Sequence, residues 1–140
     1  MTKRESILQA LKAKLVGITG VLDASVYRSR VIPLSRGKTP AVSIEPLQDS
    51  GDQSQINFID WILTVRVSVI VRGDIPDQVA DPIVQDVHSK IMSDLSLGGL
   101  CMDIQAGLVN YELLDADQPA GIVSMNYSVR YRTQVKDLTT

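Results

Sequence analysis

Apolar and polar residues alternate strictly between Trp61 and Arg72, in the stretch WILTVRVSVIVR. Trp61 and the aliphatic residues at every second position up to Val71 share one side. The other side carries Arg66 and Arg72 together with serine, threonine and two isoleucines. A period of two indicates a β-strand with one buried face. The pattern predicts a strand over 58–72 that forms the spine of a sheet.

Four further segments have strand character. Residues 122–133 alternate as cleanly as the long strand, with valine, methionine and tyrosine on the apolar side. Residues 41–46 and 108–115 are shorter apolar runs between polar stretches, and a short strand is expected within 21–29. The chain therefore contains enough strands for a sheet built mainly from sequential neighbours.

The first helix is predicted over residues 3–16. Leucine and isoleucine recur there at every fourth position, and lysines and an arginine occupy the other side. Thr2 and Glu5 have the spacing of a capping box, and Gly17 is a suitable stop. These signals indicate an amphipathic helix that covers a sheet.

A second helix is predicted over residues 82–95. Apolar residues again recur at helical spacing, and Pro82 suits the first helical position with Asp81 as N-cap. A looser turn from residue 76 precedes it. Glycines within 97–99 are expected to end the helix.

The remaining segments are predicted to be loops. Residues 30–40 are rich in turn formers, 47–57 form an extended polar hairpin loop outside the core, and 116–121 form a turn. The last residues, 136–140, are expected to be loose. The order of elements predicts an α+β fold: a mainly antiparallel sheet with two helices packed on one face, in a single domain over 1–140.

Composition narrows the class of protein without naming a function. The 140 residues are 44% apolar and 21% charged, with a formal net charge of −2, so no general basic field attracts nucleic acid. One cysteine excludes an internal disulfide and fits a reducing compartment. The N-terminus lacks the apolar core of a signal peptide, and no run approaches the ~18 apolar residues of a membrane helix.

No catalytic or cofactor site is predicted. His88 is the only histidine and Cys101 the only cysteine, so each lacks the partners that a metal site or nucleophilic site needs. Residues 35–38 lack the upstream spacing of a phosphate-binding loop, and the glycine pair 98–99 follows a helix instead of opening one. The acidic residues of 115–118 read as a solvated turn. We therefore expect no enzyme and no bound cofactor or metal.

Four arginines lie on the polar side of the predicted strands: Arg66, Arg72, Arg130 and Arg132. They do not form a stacking platform for single-stranded nucleic acid, because few aromatic residues accompany them. Planar guanidinium groups favour bidentate carboxylate partners. We interpret them as pairing partners for carboxylates on another chain, which favours an assembly component.

Several segments resemble the tail terminator proteins of long-tailed bacteriophages, the minor tail protein U-like family. The most specific are IMSDLSLGGLCMDI at 91–104 and DADQPAGIVSMNYSVRYRT at 115–133. RESILQAL and WILTVRVSVIVRG lie where that family has its first helix and long strand. The resemblance implies a homo-hexameric ring that caps the tail tube at the head-proximal end of the virion and is assembled in the host cytoplasm. Its implied partners are the tail tube protein and the head–tail connector, with DNA passing through unbound.

The side chains expected at the assembly interface belong to the polar loop and the polar sheet face. They are Asp49, Asp52, Gln53, Arg66, Arg72, Arg130 and Arg132. Three alternatives remain open: another phage neck, connector or tail-completion protein, a small oligomeric enzyme with a site between subunits, and a peptide-binding module that uses the sheet edge.

Overall fold

Two helices and five strands account for most of the residues that the structure describes. The computed structural model describes residues 1–18, 20–21, 25–29, 40–53, 55–114 and 119–140. The elements in chain order are α1 (Lys3–Lys14), β1 (Val26–Arg28), β2 (Ala41–Asp52), β3 (Phe58–Arg72), α2 (Pro76–Ile91), β4 (Asp103–Leu114) and β5 (Ala120–Gln134). The predicted α+β class with two helices and a mainly antiparallel sheet is confirmed.

The strands form one sheet in the order β1-β2-β3-β5-β4. Only β1 runs parallel to its neighbour; the other three pairings are antiparallel. The long strand β3 lies in the centre, as its alternation predicts, and its bounds match the predicted 58–72. Its whole length pairs with β5, from Phe58 opposite Gln134 to Arg72 opposite Ala120.

The core lies between the sheet and the two helices. Directly opposed residues of antiparallel strands share a face, so Val65 and Tyr127 project together under the helices. Helix α2 packs across β3 and β5, and α1 packs beside β1 and α2. Each large aliphatic side chain buried there stabilises the fold by about 1.5–3 kcal/mol. The fully buried members include Ile7, Leu11, Leu15, Ile44, Leu63, Val67, Ile91 and Tyr131.

Helix α1 begins at the predicted N-cap. The Thr2 hydroxyl accepts a hydrogen bond from the Glu5 backbone N–H at 3.2 Å, which satisfies one of the free donors of the first turn. The Glu5 carboxylate does not complete a capping box, because it binds the Arg28 guanidinium on β1 instead. The cap therefore also ties the helix to the sheet.

Helix α2 begins earlier than the predicted helix over 82–95. Pro76 occupies its first position, where the missing N–H of proline is not needed. Pro82 and Asp81 lie inside the helix, so the role given to them was wrong. An interior proline removes a backbone hydrogen bond and costs about 3 kcal/mol. Burial of the apolar side of the helix offsets that cost; this side consists of Pro76, Ala80, Ile83, Val87 and Ile91.

The same helix ends at Ile91, before the predicted stop at 97–99. A series of turns comes next, held by the Asp94 carboxylate, which accepts hydrogen bonds from the backbone N–H groups of Ser96 at 3.0 Å and Gly98 at 2.9 Å. The Ser96 hydroxyl also donates to this carboxylate at 2.9 Å; that bond first, and then the two backbone bonds, favour the charged form and lower the pKa of Asp94. The glycines therefore shape the turns after the helix and do not end it.

Strand β2 continues through much of the segment predicted to be a loop over 47–57. It pairs with β3 as far as Asp52, which lies opposite Asp60. Its outer half is polar because β1 pairs only with Val42–Ile44, and an uncovered strand exposes its side chains to water. The loop prediction was wrong for residues 47–52, where polarity marks an exposed strand; residues 53–57 connect β2 to β3, as predicted for that part.

Aromatic residues fix this part of β2. The indole of Trp61 lies against Gly51, where a Cβ would come within 2.8 Å of the ring. Its Nε1 donates a hydrogen bond to the Thr133 hydroxyl at 2.9 Å, and its ring stacks on Tyr131 with centroids 6.3 Å apart. Glycine at position 51 therefore permits a close approach that any side chain would prevent.

Strand β4 begins five residues before the predicted 108–115. Among the described residues it pairs with β5 alone, and the pairing shifts between Ala106 and Val109, where two residues oppose one in a β-bulge. The shift interrupts the alternation by which a strand is recognised. Strand β5, by contrast, matches the predicted strand over 122–133.

Two predictions concern segments at the margins of the fold. The terminal residues predicted to be loose are held by backbone hydrogen bonds: Lys3 N–H donates to the Leu138 carbonyl, and Gln134 N–H to the Thr140 carbonyl, both at 2.8 Å. The predicted loop over 30–40 and turn over 116–121 fall largely on residues 30–39 and 115–118, which lie outside the described residues.

The second face of the sheet is buried at its centre by the chain itself. Ile70 is 4% exposed and packs with Ala41, Tyr27 and Ile122. Ser68 is also buried, and its hydroxyl lies 3.2 Å from that of Ser124. This face is therefore less open than the alternating pattern of β3 alone suggests.

Candidate assembly surface

His88 lies on the exposed side of α2, close to β5. Its Nδ1 is 2.9 Å from the hydroxyl of Tyr127, and the two rings stack with centroids 5.9 Å apart. The sequence placed it at the margin of the apolar side of the helix, and the structure agrees. Its resolved contacts are those of a side chain that links a helix to a sheet.

Cys101 is 8% exposed and lies below the turns that come after α2. Its Sγ donates a hydrogen bond to the Leu95 carbonyl at 3.1 Å. Burial, aided by the nearby carboxylates of Asp103 and Asp94, raises the pKa of the thiol to about 11. The thiol is therefore protonated near neutral pH, the unreactive state of a buried structural cysteine.

Metal clusters and surface depressions are the other places where a chemical site could lie. No three histidine, cysteine, aspartate or glutamate side chains within the described ranges come close enough to hold a metal ion. A depression of about 550 Å³ lies between residues 56–58 and 134–136, and Lys136 is the only ionisable side chain in its lining. None of the helices described is both long and apolar enough to cross a bilayer.

Three of the four singled-out arginines pair with carboxylates directly across the sheet. Arg66 binds Glu45 with Nε 2.8 Å from the carboxylate oxygen. The two other pairs have the same relation, because each arginine and its partner are opposed in neighbouring strands. They are Arg132 with Asp60 at 2.6 Å and Arg130 with Asp103 at 3.8 Å.

These pairs change the interpretation of the arginines. The expected carboxylates of another chain are replaced, for Arg66, Arg130 and Arg132, by partners within this chain. All three pairs are partly exposed, so water and salt screen them and they contribute little to stability. Arg72 lies at the end of β3, opposite Ala120. A role of these residues in an assembly interface stays a prediction.

Asp49 was predicted to belong to an exposed interface loop and is instead a buried link between three elements. Its carboxylate accepts hydrogen bonds from Arg4 Nε of α1 at 2.6 Å and from the Tyr131 hydroxyl of β5. Burial and the bond to Asp49 both raise the pKa of Tyr131. The neighbouring candidates Asp52 and Gln53 are exposed at the end of β2, where a partner can reach them.

The most conspicuous surface was not among the predicted sites. Five large apolar side chains of β4 are exposed, three of them by 65–70%. We call this set the β4 stripe; it consists of Leu108, Val109, Tyr111, Leu113 and Leu114. Val109 and Tyr111 oppose the core residues Met125 and Val123, so they project from the face that the helices cover elsewhere.

Helix α2 packs on β5 and does not extend over β4. A Cβ at Gly121 would lie 2.6 Å from Pro76, so the first turn of α2 lies directly on β5. An apolar groove of about 140 Å³ remains between α2 and β4. Its walls include Val84, His88, Ala106, Val109, Met125 and Tyr127. We call this the β4 groove.

In the part of the chain that the structure describes, nothing pairs with the outer edge of β4, and this free edge has little protection against pairing. Outer strands are normally guarded by lysine, proline or inward-pointing charge. Residues 104–114 contain no proline and no basic residue, and Glu112 is the only charged residue there. The apolar run within 108–114 could have drawn attention to this surface, but only the sheet order shows that the strand lies at an edge.

Comparison with models of protein families and with curated protein sequences gave no match. A functional assignment therefore depends on the geometry of the chain and on the resemblance carried by its sequence segments.

Proposed function

We propose that the protein is a structural subunit that closes the tail tube of a long-tailed phage as a ring at its head-proximal end. The observation that carries this proposal is the β4 stripe. An apolar surface of this kind on a free sheet edge favours burial against another protein. In a permanent assembly, a neighbouring subunit covers such a surface.

The resemblance to tail terminator proteins supplies the particular assembly. In that proposal six copies form the ring, one side meets the tail tube protein, and the other meets the head–tail connector. The formal net charge of −2 supports a channel through which DNA slides, since a lumen rich in lysine would bind phosphates and release counterions. The proposal assigns no cofactor and no catalytic step.

The test uses a long-tailed phage that encodes this chain, with the coding sequence interrupted by an early stop codon. We expect overlong tails or tails not joined to heads, seen by electron microscopy of the lysate. The parent protein supplied in trans should restore tails of uniform length joined to heads. Normal virions without the protein would refute the proposal.

A matched variant separates this role from an enzyme with a thiol nucleophile. Cys101→Ala removes the only thiol and leaves β4 unchanged. We expect it to restore joined tails as the parent does, because Cys101 acts in packing alone. Loss of joined virions with a correctly folded Cys101→Ala protein would favour the enzyme alternative.

A further inference from the structure

We propose that the β4 groove of one copy binds the turn between β2 and β3 of a second copy, with Ile56 seated in the groove. This inference deepens the proposed function and rests on it for the purpose of the ring. The contact itself concerns two copies of the chain and can be measured on purified protein.

Three side chains of the β4 stripe indicate a lasting partner on the groove side of the strand. Val109, Tyr111 and Leu113 alternate along β4 and therefore share the face that borders the groove, and all three are exposed. Exposed apolar side chains clustered in this way mark a contact with another protein. A stable interface buries ~800 Å² on each partner, so these side chains supply part of one such side. The unguarded backbone edge adds hydrogen-bonding groups to the same surface.

A second copy carries an apolar feature of matching size. Ile56 is 90% exposed and Phe58, two residues further, is 39% exposed. The β4 groove has a volume of about 140 Å³, close to the ~150 Å³ of an apolar cavity that accommodates benzene. One branched aliphatic side chain therefore fits it. Lys136 borders the same depression as Ile56, so the turn carries one positive charge beside its apolar side chains.

The two surfaces lie at different places on the subunit. The β2–β3 turn lies at the end of the sheet where Phe58 opposes Gln134, whereas the groove lies against Met125 and Tyr127 in the middle of β5. A contact between unlike surfaces is heterologous, so each copy keeps one free surface of each kind. Repetition of such a contact closes a ring when the rotation between copies allows it.

The test uses two variants that each damage one surface. Val109→Lys places a charge in the groove wall, and Ile56→Lys places one at the turn. Each alone should weaken self-association about 30-fold or more, the loss expected for a central anchor. Mixed in equal amounts they should form heterodimers and nothing larger, because the mixture contains one intact pair of surfaces. Mass photometry and analytical ultracentrifugation measure the species.

Controls separate loss of contact from loss of fold. Gln105→Lys adds the same charge to β4 on the face shared with Ser128, and it should associate as the parent does. Circular dichroism and urea unfolding should show all three variants folded. A parent that stays monomeric at several hundred micromolar, or an Ile56→Lys variant that assembles like the parent, would overturn the inference.

The outcomes also separate this inference from the proposed function. A two-fold contact between two β4 strands would leave Ile56→Lys dimeric and Val109→Lys monomeric, which contradicts a heterologous contact. Heterodimers from the mixture, with no effect of the stop codon on tails, would retain the contact and reject the tail role. Normal tails formed with the Ile56→Lys variant would retain the tail role and reject the contact.

Discussion

The outer strands β2 and β4 differ in how well their free edges are protected against pairing with another chain. Beyond Ile44, where pairing with β1 ends, β2 carries Pro46 and exposes a single large aliphatic side chain, Leu47. Strand β4 is equally long but has no proline, and it exposes the five apolar side chains of the β4 stripe. Proline and charge prevent a strand from pairing with another chain. The chain therefore protects one edge and leaves the other available.

The same contrast appears in how each edge is held. The carboxylate of Asp49 attaches β2 to α1 and β5 through Arg4 and Tyr131. The β4 strand that carries the stripe pairs with β5 instead, and of the stripe residues Val109 lines the groove. The polar strand is thus integrated into the fold, and the apolar one is free to bind. From the lengths and polarities of the two strands alone, we would have expected the polar strand β2 to be the free one.

The largest expected effect is on the protected edge. Asp49→Ala leaves the buried Tyr131 hydroxyl and the Arg4 guanidinium without their acceptor, and should lower the free energy of unfolding by about 2–3 kcal/mol. Asp52→Ala, on the same strand but exposed, should change it by less than about 0.5 kcal/mol. Urea denaturation measures both. Equal losses would mean that Asp49 is not a structural link.

Removing the other partner of that link should have a smaller effect. Tyr131→Phe keeps the packing against Trp61 and deletes one hydrogen bond, so we expect a loss of about 1 kcal/mol. The double variant with Asp49→Ala should lose less than the sum of the two single losses, because both remove the same bond. Strict additivity in the double-mutant cycle would contradict the contact.

Tyrosine titration distinguishes the Asp49 link from the surroundings of the β4 groove. Burial raises the pKa of Tyr127, beside the β4 groove, to about 12, and burial together with Asp49 raises that of Tyr131. Asp49→Ala should therefore lower the pKa of Tyr131 and leave that of Tyr127 unchanged. The ultraviolet absorbance of tyrosinate records both, with Asp52→Ala as the control.

These pKa values also set an alkaline limit on stability. A tyrosine whose folded-state pKa exceeds the usual ~10 holds its proton when the unfolded chain has released it. Its contribution is fully present below about pH 10 and is lost as pH rises through the folded-state pKa. We expect the free energy of unfolding to fall above pH ~10, and to fall less steeply in Tyr127→Phe. A constant value between pH ~10 and ~12 would refute this.

The smallest effect is expected on the free edge. Leu113 is 70% exposed, so Leu113→Lys should change the free energy of unfolding of dilute protein by less than about 0.5 kcal/mol. The variant should also bind less of an apolar dye than the parent does. A large destabilisation in urea would show that the stripe belongs to the core and that the comparison between the two edges fails.

Strands with one buried face were predictable, and exposed strands were not. β3 and β5 each pair along their length and bury alternate residues against the helices, so their sequences alternate and their predicted bounds were close. The outer half of β2 is mostly exposed, with Asp49 the exception that is linked to α1 and β5, and it reads as a loop; β4 is apolar on an exposed edge and has a bulge. Without burial on one side only, no period of two is imposed on the sequence.

The helices show a similar limit. Both Pro76 and Pro82 suit a first helical position, and local preference cannot choose between them. The choice depends on Pro76 packing on Gly121, a contact between residues far apart in sequence. The candidate interface depends on strand register in the same way. Arg66 and Glu45 pair because the alignment of β2 with β3 places them opposite each other. The residue pattern of one strand does not reveal that alignment.

By itself the sequence determined the class of fold, the central strands, the existence of two helices and the burial of Cys101. These features arise from local periodicity and composition, which act along the chain. The tertiary structure decided that Asp49 is a buried link, that three arginines have partners within the chain, and that β4 presents an apolar edge and groove. Those features depend on which segments become neighbours, because burial, charge pairing and edge position are properties of the assembled sheet.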